Sequence, residues 1–184
     1  MSPILLLPAA ILGFLGGAAF AGPSRKGLSM RKPSPLGPGV PLAAWERYVA
    51  VMVMAPKNTA SPKRKYGSFA MGARRLADVG LMEGIRRTGD GWVGAWVAPL
   101  TEDKFLGSMP LQYAAFSKSM KAMAPKVSEI VGVEVDGVRC SLSGLLGVAH
   151  MAGVEGCLGW VKDPQARRKF AETTKVFQRS NGLF

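Results

Sequence analysis

The sequence has one histidine, His150, and two cysteines, Cys140 and Cys157. One imidazole and two thiols are too few ligands for a structural zinc site, and the cysteines form no C-x-x-C pair. A single histidine excludes a zinc protease or any two-histidine centre. No Walker loop and no G-x-S-x-G elbow occurs, and no local pattern supports a Ser-His-Asp triad around His150. No metal and no cofactor is therefore expected. Both cysteines sit in apolar, small-residue surroundings and are expected as buried free thiols. A disulfide between them would need an oxidising compartment.

Acidic side chains are also scarce. Twelve Asp and Glu face 24 Lys and Arg, for a formal charge of +12. The imbalance is concentrated at the front, where Glu46 is the sole acid among residues 1–65 against nine bases. Such a field favours a polyanionic partner such as nucleic acid, anionic lipid or an acidic wall or protein surface; it equally serves solubility.

Three stretches organise the 184 residues. Residues 1–21 include an uncharged apolar run, I-L-L-L-P-A-A-I-L-G-F-L-G-G-A-A-F-A, at positions 4–21. Ala19-Phe20-Ala21 has the form of a signal cleavage site, but no basic side chain precedes the run. Membrane contact or burial within an assembly is the preferred expectation. Residues 22–41 form a linker with Pro23, Pro33, Pro35, Pro38 and Pro41, too rich in proline for a helix. Residues 42–184 carry the globular body, with no internal repeat.

The body reads as mainly α. L-A-A-W-E-R-Y-V-A-V-M-V-M from Leu42 reads as a buried helix that stops before Pro56. Lys57–Lys65 reads as a basic loop. A helix ends at Gly80 with Leu76 and Val79 inward. Leu81–Arg87 is expected as a short helix or turn, and T-G-D-G-W-V-G-A-W-V-A-P as a loop anchored by Trp92 and Trp96. Pro110–Ala124 has helical spacing. V-E-V-D-G-V suggests a brief hairpin. A small-residue helix runs from Ser141, a short one covers Val154–Val161, and a last one runs from Pro164 to about Gln178 with Asp163 as N-cap. The ten methionines read as gap-filling core residues.

Two of these segments carry a resemblance. Y-G-S-F-A-M-G-x-x-x-L-x-D-V-G (66–80) and S-L-S-G-L-L-G-V-A-H-M-A-G-V-E-G (141–156), with Gln112 on the helix between them, resemble the lysozyme-like transglycosylase domains of bacterial and phage proteins. The likeness covers roughly Leu42–Phe184. It implies a lysozyme-like helical domain behind an extended apolar and Pro-rich N-terminal arm. It also implies a cleft for peptidoglycan glycan strands, lined by Tyr66, Phe69, Met71, Gln112, Ser143 and His150. Read without the family, Tyr66, Phe69 and Met71 are ordinary core residues, and His150 is a core histidine bonded to a backbone carbonyl.

The chain departs from that family at its chemistry. Glycoside cleavage needs a carboxylic acid held protonated beside the leaving oxygen. The family places a glutamate at the end of the first helix, where this chain reads V-M-V-M-A-P. Glu46, the candidate catalytic acid, lies about 12 Å away along that helix at 1.5 Å per residue. Asp78, Glu83 and Glu102 are the other acids to consider. The family's Tyr-Gln pair is replaced by Phe69-Ala70. Lys63, Arg64 and Lys65 stand beside the expected cleft as contacts for an anion or a partner.

The leading expectation is a structural component of a larger assembly, a phage-type virion, tail or ejection apparatus. It would be tethered to other subunits through residues 1–41 and placed in the virion or the bacterial cell envelope. A working lytic transglycosylase or muramidase is the alternative. A basic nucleic-acid-binding protein ranks last, because no interleaved aromatics or binding motif accompany the charge.

Overall fold

The computed structural model describes residues 34–54, 65–89 and 91–184. The apolar run at 4–21, most of the linker, and Lys63 and Arg64 lie outside them. The described residues belong to one unit, Arg31–Phe184. They form seven helices and three two-stranded antiparallel sheets, so the body is mainly α.

Helix α1 (Leu42–Met52) turns Ala44, Trp45, Tyr48 and Met52 inward. Before it, residues 34–41 are laid against the body, with Ser34 and Val40 buried. Strands β1 (Lys65–Tyr66) and β2 (Met71–Gly72) close a tight turn that leads into α2 (Ala73–Asp78). The stop at Gly80 is as expected: Gly80 has φ +79°, and the Gly80 and Leu81 amides donate to Ala77 and Leu76. Only a residue free to adopt left-handed backbone closes a helix this way. Lys118 reaches the Val79 carbonyl at 3.0 Å and completes that end.

Residues 81–99 depart from expectation. They form a β-hairpin, β3 (Met82–Thr88) and β4 (Gly91–Trp96), rather than a short helix and a loop. The reason is a bulge between Glu83 and Arg86, with Gly84 at φ +60°. The extra residue shifts the side-chain alternation in mid-strand and erases the two-residue period that marks a strand. Ile85 then lies across Gly94, where a side chain would collide with it.

Helix α3 (Glu102–Leu106) is short and capped by Thr101. The long α4 (Met109–Ser128) starts at Ser108, whose hydroxyl accepts from Leu111, and runs on through Pro125. The bond that proline removes would have gone to Lys121, and both residues are exposed, so no buried carbonyl is left unpaired by it. Strands β5 (Glu134–Val135) and β6 (Val138–Arg139) form the expected hairpin over Asp136-Gly137, both at positive φ.

Helix α5 (Leu142–Lys162) breaks its helical geometry at Gly153 (φ 82°, ψ 168°), so it is two helices joined by a kink. Its length and mean hydropathy of 1.2 suit a membrane span, yet half of that window is buried inside the body. The last expected helix is two. Helices α6 (Pro164–Lys169) and α7 (Ala171–Ser180) meet at Phe170, whose φ and ψ are −110° and 58°. Close packing of α7 on α5 depends on Gly144 and Gly147. A methyl on Gly147 would lie 2.6 Å from Ser180 Oγ, and one on Gly144 would lie 2.8 Å from the Phe177 ring. Cys140 and Cys157 are buried and free, and burial pushes both thiols up, Cys157 to about 12.

Candidate functional site

The turn between β1 and β2 is the meeting point of the body. Gly67 has φ +69°, and a methyl there would sit 2.5 Å from Gln112 Oε1. Glycine is thus required twice, for backbone and for room. The gap lets Gln112 approach: its Oε1 accepts from the Ser68 amide at 2.8 Å. Its Nε2 donates to the carbonyls of Phe105 and Leu106, each at 3.0 Å. One buried amide from α4 therefore ties the turn to the end of α3.

From the other side comes α5. His150 Nε2 lies 2.7 Å from the Phe69 carbonyl. A carbonyl only accepts, so Nε2 carries the proton. The Phe69 ring stacks on Phe116 at 4.3 Å, and Phe116 meets the His150 ring edge-on at 5.3 Å. Arg75 donates to the Ala149 carbonyl at 2.8 Å. The end of α1 also arrives here, through the Met54 amide on the Ser68 carbonyl at 2.7 Å.

So five of the six residues given to a sugar cleft converge: Tyr66, Phe69, Met71, Gln112 and His150. Ser143 does not join them. It is fully buried elsewhere on α5, where its hydroxyl binds the backbone of Leu183 and Phe184. The correction concerns exposure. All six are buried, His150 the least so at 8%, and the turn packs directly on α4 and α5. These side chains are part of the packed core.

The expected acid is not at this junction. Glu46 is exposed on α1, on the face opposite Trp45 and Tyr48. Asp78 is exposed and lies 3.7 Å from Arg75, Glu83 is exposed on β3, and Glu102 is half-buried in the first turn of α3. No carboxylate among the described residues is buried. Lys65 is half-buried in β1. No group of three or more metal-ligating side chains occurs among the described residues.

Burial holds the His150 imidazole at about 4, down from its ordinary 6.5. The Phe69 carbonyl opposes this, and the charges of Arg75 and Lys65 add to it. Between those two pH values the unfolded chain binds a proton that the folded chain refuses. The resulting stability is complete above pH 6.5 and is lost as pH falls through 4, about 3 kcal/mol in all at 1.36 kcal/mol per unit. His150→Gln is expected to lose less stability than the native chain between pH 7 and pH 4.5. Urea midpoints at the two pH values measure this, and equal losses in both proteins would refute it.

Sequence reading alone did not anticipate the roles of Phe116 and Gly67. Gly67 lies inside the Y-G-S-F motif, two residues before Phe69, and a glycine there is the local signal for a tight turn. Comparison with known proteins gives no match: no family model fits the chain, and no curated protein or solved structure is similar to it.

Proposed function

We propose that this chain is a structural component of a larger assembly, built on a lysozyme-like body that has lost glycosidase chemistry. The favoured setting is a phage-type virion, its tail or its ejection apparatus, at the virion or the bacterial cell envelope. The apolar segment and the basic arm of residues 1–41 would supply the contacts to other subunits.

The junction of α1 with the β1–β2 turn carries this reading. In the family that the sequence resembles, the end of the first helix beside this turn bears the acid. Here Met52 is fully buried at that end, and the Met54 amide is bonded to the turn. A general acid must reach its proton acceptor and must be held protonated by an apolar pocket. Glu46 meets neither requirement, being exposed and about two helical turns from that end of α1. The motif persists as packing, while the position that did the chemistry is apolar.

Zymography on purified peptidoglycan tests the reading. The native chain is expected to give no clearing, and Glu46→Gln is expected to behave identically. Clearing by the native chain that disappears in Glu46→Gln would make the protein a working muramidase or lytic transglycosylase and end the structural reading.

A further inference from the structure

The corner between α6 and α7 carries a concavity of about 370 Å³, within the size range of ligand pockets. One wall is fixed. Arg167 donates to both Asp136 carboxylate oxygens at 3.0 and 2.9 Å, and to the carbonyls of Trp160 and Val161. Its side chain is only 10% exposed, so it serves as a strut that neutralises Asp136 and closes the end of α5. Thr174 is spent inward, on the Trp160 indole and the Arg167 carbonyl.

The rim is different. Arg168 is exposed and forms no ion pair among the described residues. Lys175 is 62% exposed at its side chain and, among the described residues, pairs only with the exposed Glu172, at 2.8 Å. Arg179 follows one turn along α7. Phe170, the chain neighbour of the lining residue Ala171, is 48% exposed, with the Lys169 ammonium 5.9 Å from its ring centre. A cationic groove beside an exposed aromatic ring is how proteins hold single-stranded nucleic acid without reading its sequence: charge tracks the phosphates and the ring stacks a base.

We propose that the α6–α7 corner binds a short single-stranded stretch of nucleic acid, with phosphates on Arg168 and Lys175 and a base against Phe170. The excess of +12 over the whole chain draws such a polyanion in, and the corner gives it a place to seat. A membrane surface suits this corner less well. Lipid binding wants a broad apolar helix face, and P-Q-A-R-R-K offers none. The proposal is independent of the lysozyme-like reading.

Fluorescence anisotropy of a labelled oligothymidylate with the full chain, between about 50 and 200 mM salt, tests it. Arg168→Ala with Lys175→Ala is expected to weaken binding about tenfold or more. The same pair should reduce the salt slope by about 1.4, at about 0.7 per phosphate contact. Phe170→Ala is expected to weaken binding about fivefold and leave that slope unchanged. Arg86→Ala with Arg87→Ala removes the same charge from the β3–β4 hairpin and should change affinity less than about twofold. All these side chains are exposed, so the variants keep the fold. Equal losses in the two double variants would overturn the site and leave diffuse charge. No oligonucleotide binding would overturn it too, as would binding only to phosphatidylglycerol vesicles or only to inorganic phosphate.

Discussion

Phe116→Ala is expected to cost about 3–5 kcal/mol of stability, the range for truncating a buried phenylalanine. Phe116 is fully buried on α4, and four rings meet it. Phe69 stacks at 4.3 Å, His150 lies edge-on at 5.3 Å, and Trp45 and Tyr48 lie 6.0 and 6.2 Å away. These rings come from α1, the β1–β2 turn and α5, so a single side chain joins three segments to α4. Aromatic pairs contribute about 0.5–1.5 kcal/mol beyond the area they bury. The cavity left by alanine would open between elements held in place by other contacts, so collapse would be incomplete. At about 2–4 °C per kcal/mol for a chain of this size, the melting point should fall by about 10 °C. Phe170→Ala is the matched control: that ring is half exposed, and its loss should stay within about 0.5 kcal/mol. Chemical denaturation of both variants decides. A loss below about 1 kcal/mol for Phe116→Ala would show that this ring is not the hub.

What could be read from the sequence follows from how local each signal is. The stop at Gly80, the Asp136-Gly137 hairpin, the Asp163 cap and the kink in α5 each depend on a few adjacent residues. All four stand in the structure. The β3–β4 hairpin was hidden because its bulge breaks the alternation. Trp92 and Trp96, four residues apart, imitate helical spacing as well as anchoring a loop. The break at Phe170 has no glycine or proline to announce it. It answers two distant demands. Arg167 must reach Asp136 and the end of α5, while Val176, Phe177 and Ser180 must face Gly144 and Gly147. A straight helix cannot satisfy both.

The junction shows the same division. That His150 is a core histidine on a backbone carbonyl could be argued from its apolar helix. Which carbonyl could not, because Phe69 is 81 residues away. The resemblance placed Tyr66, Phe69, Met71, Gln112 and His150 in one site, and the five meet at the β1–β2 turn: three lie on it, and Gln112 and His150 bond to its backbone. It did not tell whether they line a cleft or fill a core. That depends on exposure, which is set by how closely α4 and α5 approach the turn. Gly67 and Gln112 set that approach.

Gln112→Leu should therefore be as damaging as the loss of Phe116, at about 3–5 kcal/mol. Leucine nearly conserves volume, so the cost is polar. The Ser68 amide and the Leu106 carbonyl lose this partner together, while the Phe105 carbonyl keeps the Ser108 amide, and a buried group left unpaired costs about 1–3 kcal/mol. Gln112→Glu separates this account from a simple packing role. Its carboxylate still accepts from Ser68 but faces two carbonyl oxygens, which repel the charge. Burial and that repulsion raise its folded pKa above the unfolded value. Such a group stabilises below the unfolded pKa, and that contribution is lost as pH rises through the folded pKa. Gln112→Glu should then be nearer the native chain at pH 5 than at pH 8, whereas Gln112→Leu should show no difference beyond the native trend. Urea midpoints of the three proteins at both pH values make the measurement. A pH-independent deficit in Gln112→Glu would mean that the amide fills space and does not join the turn to α3.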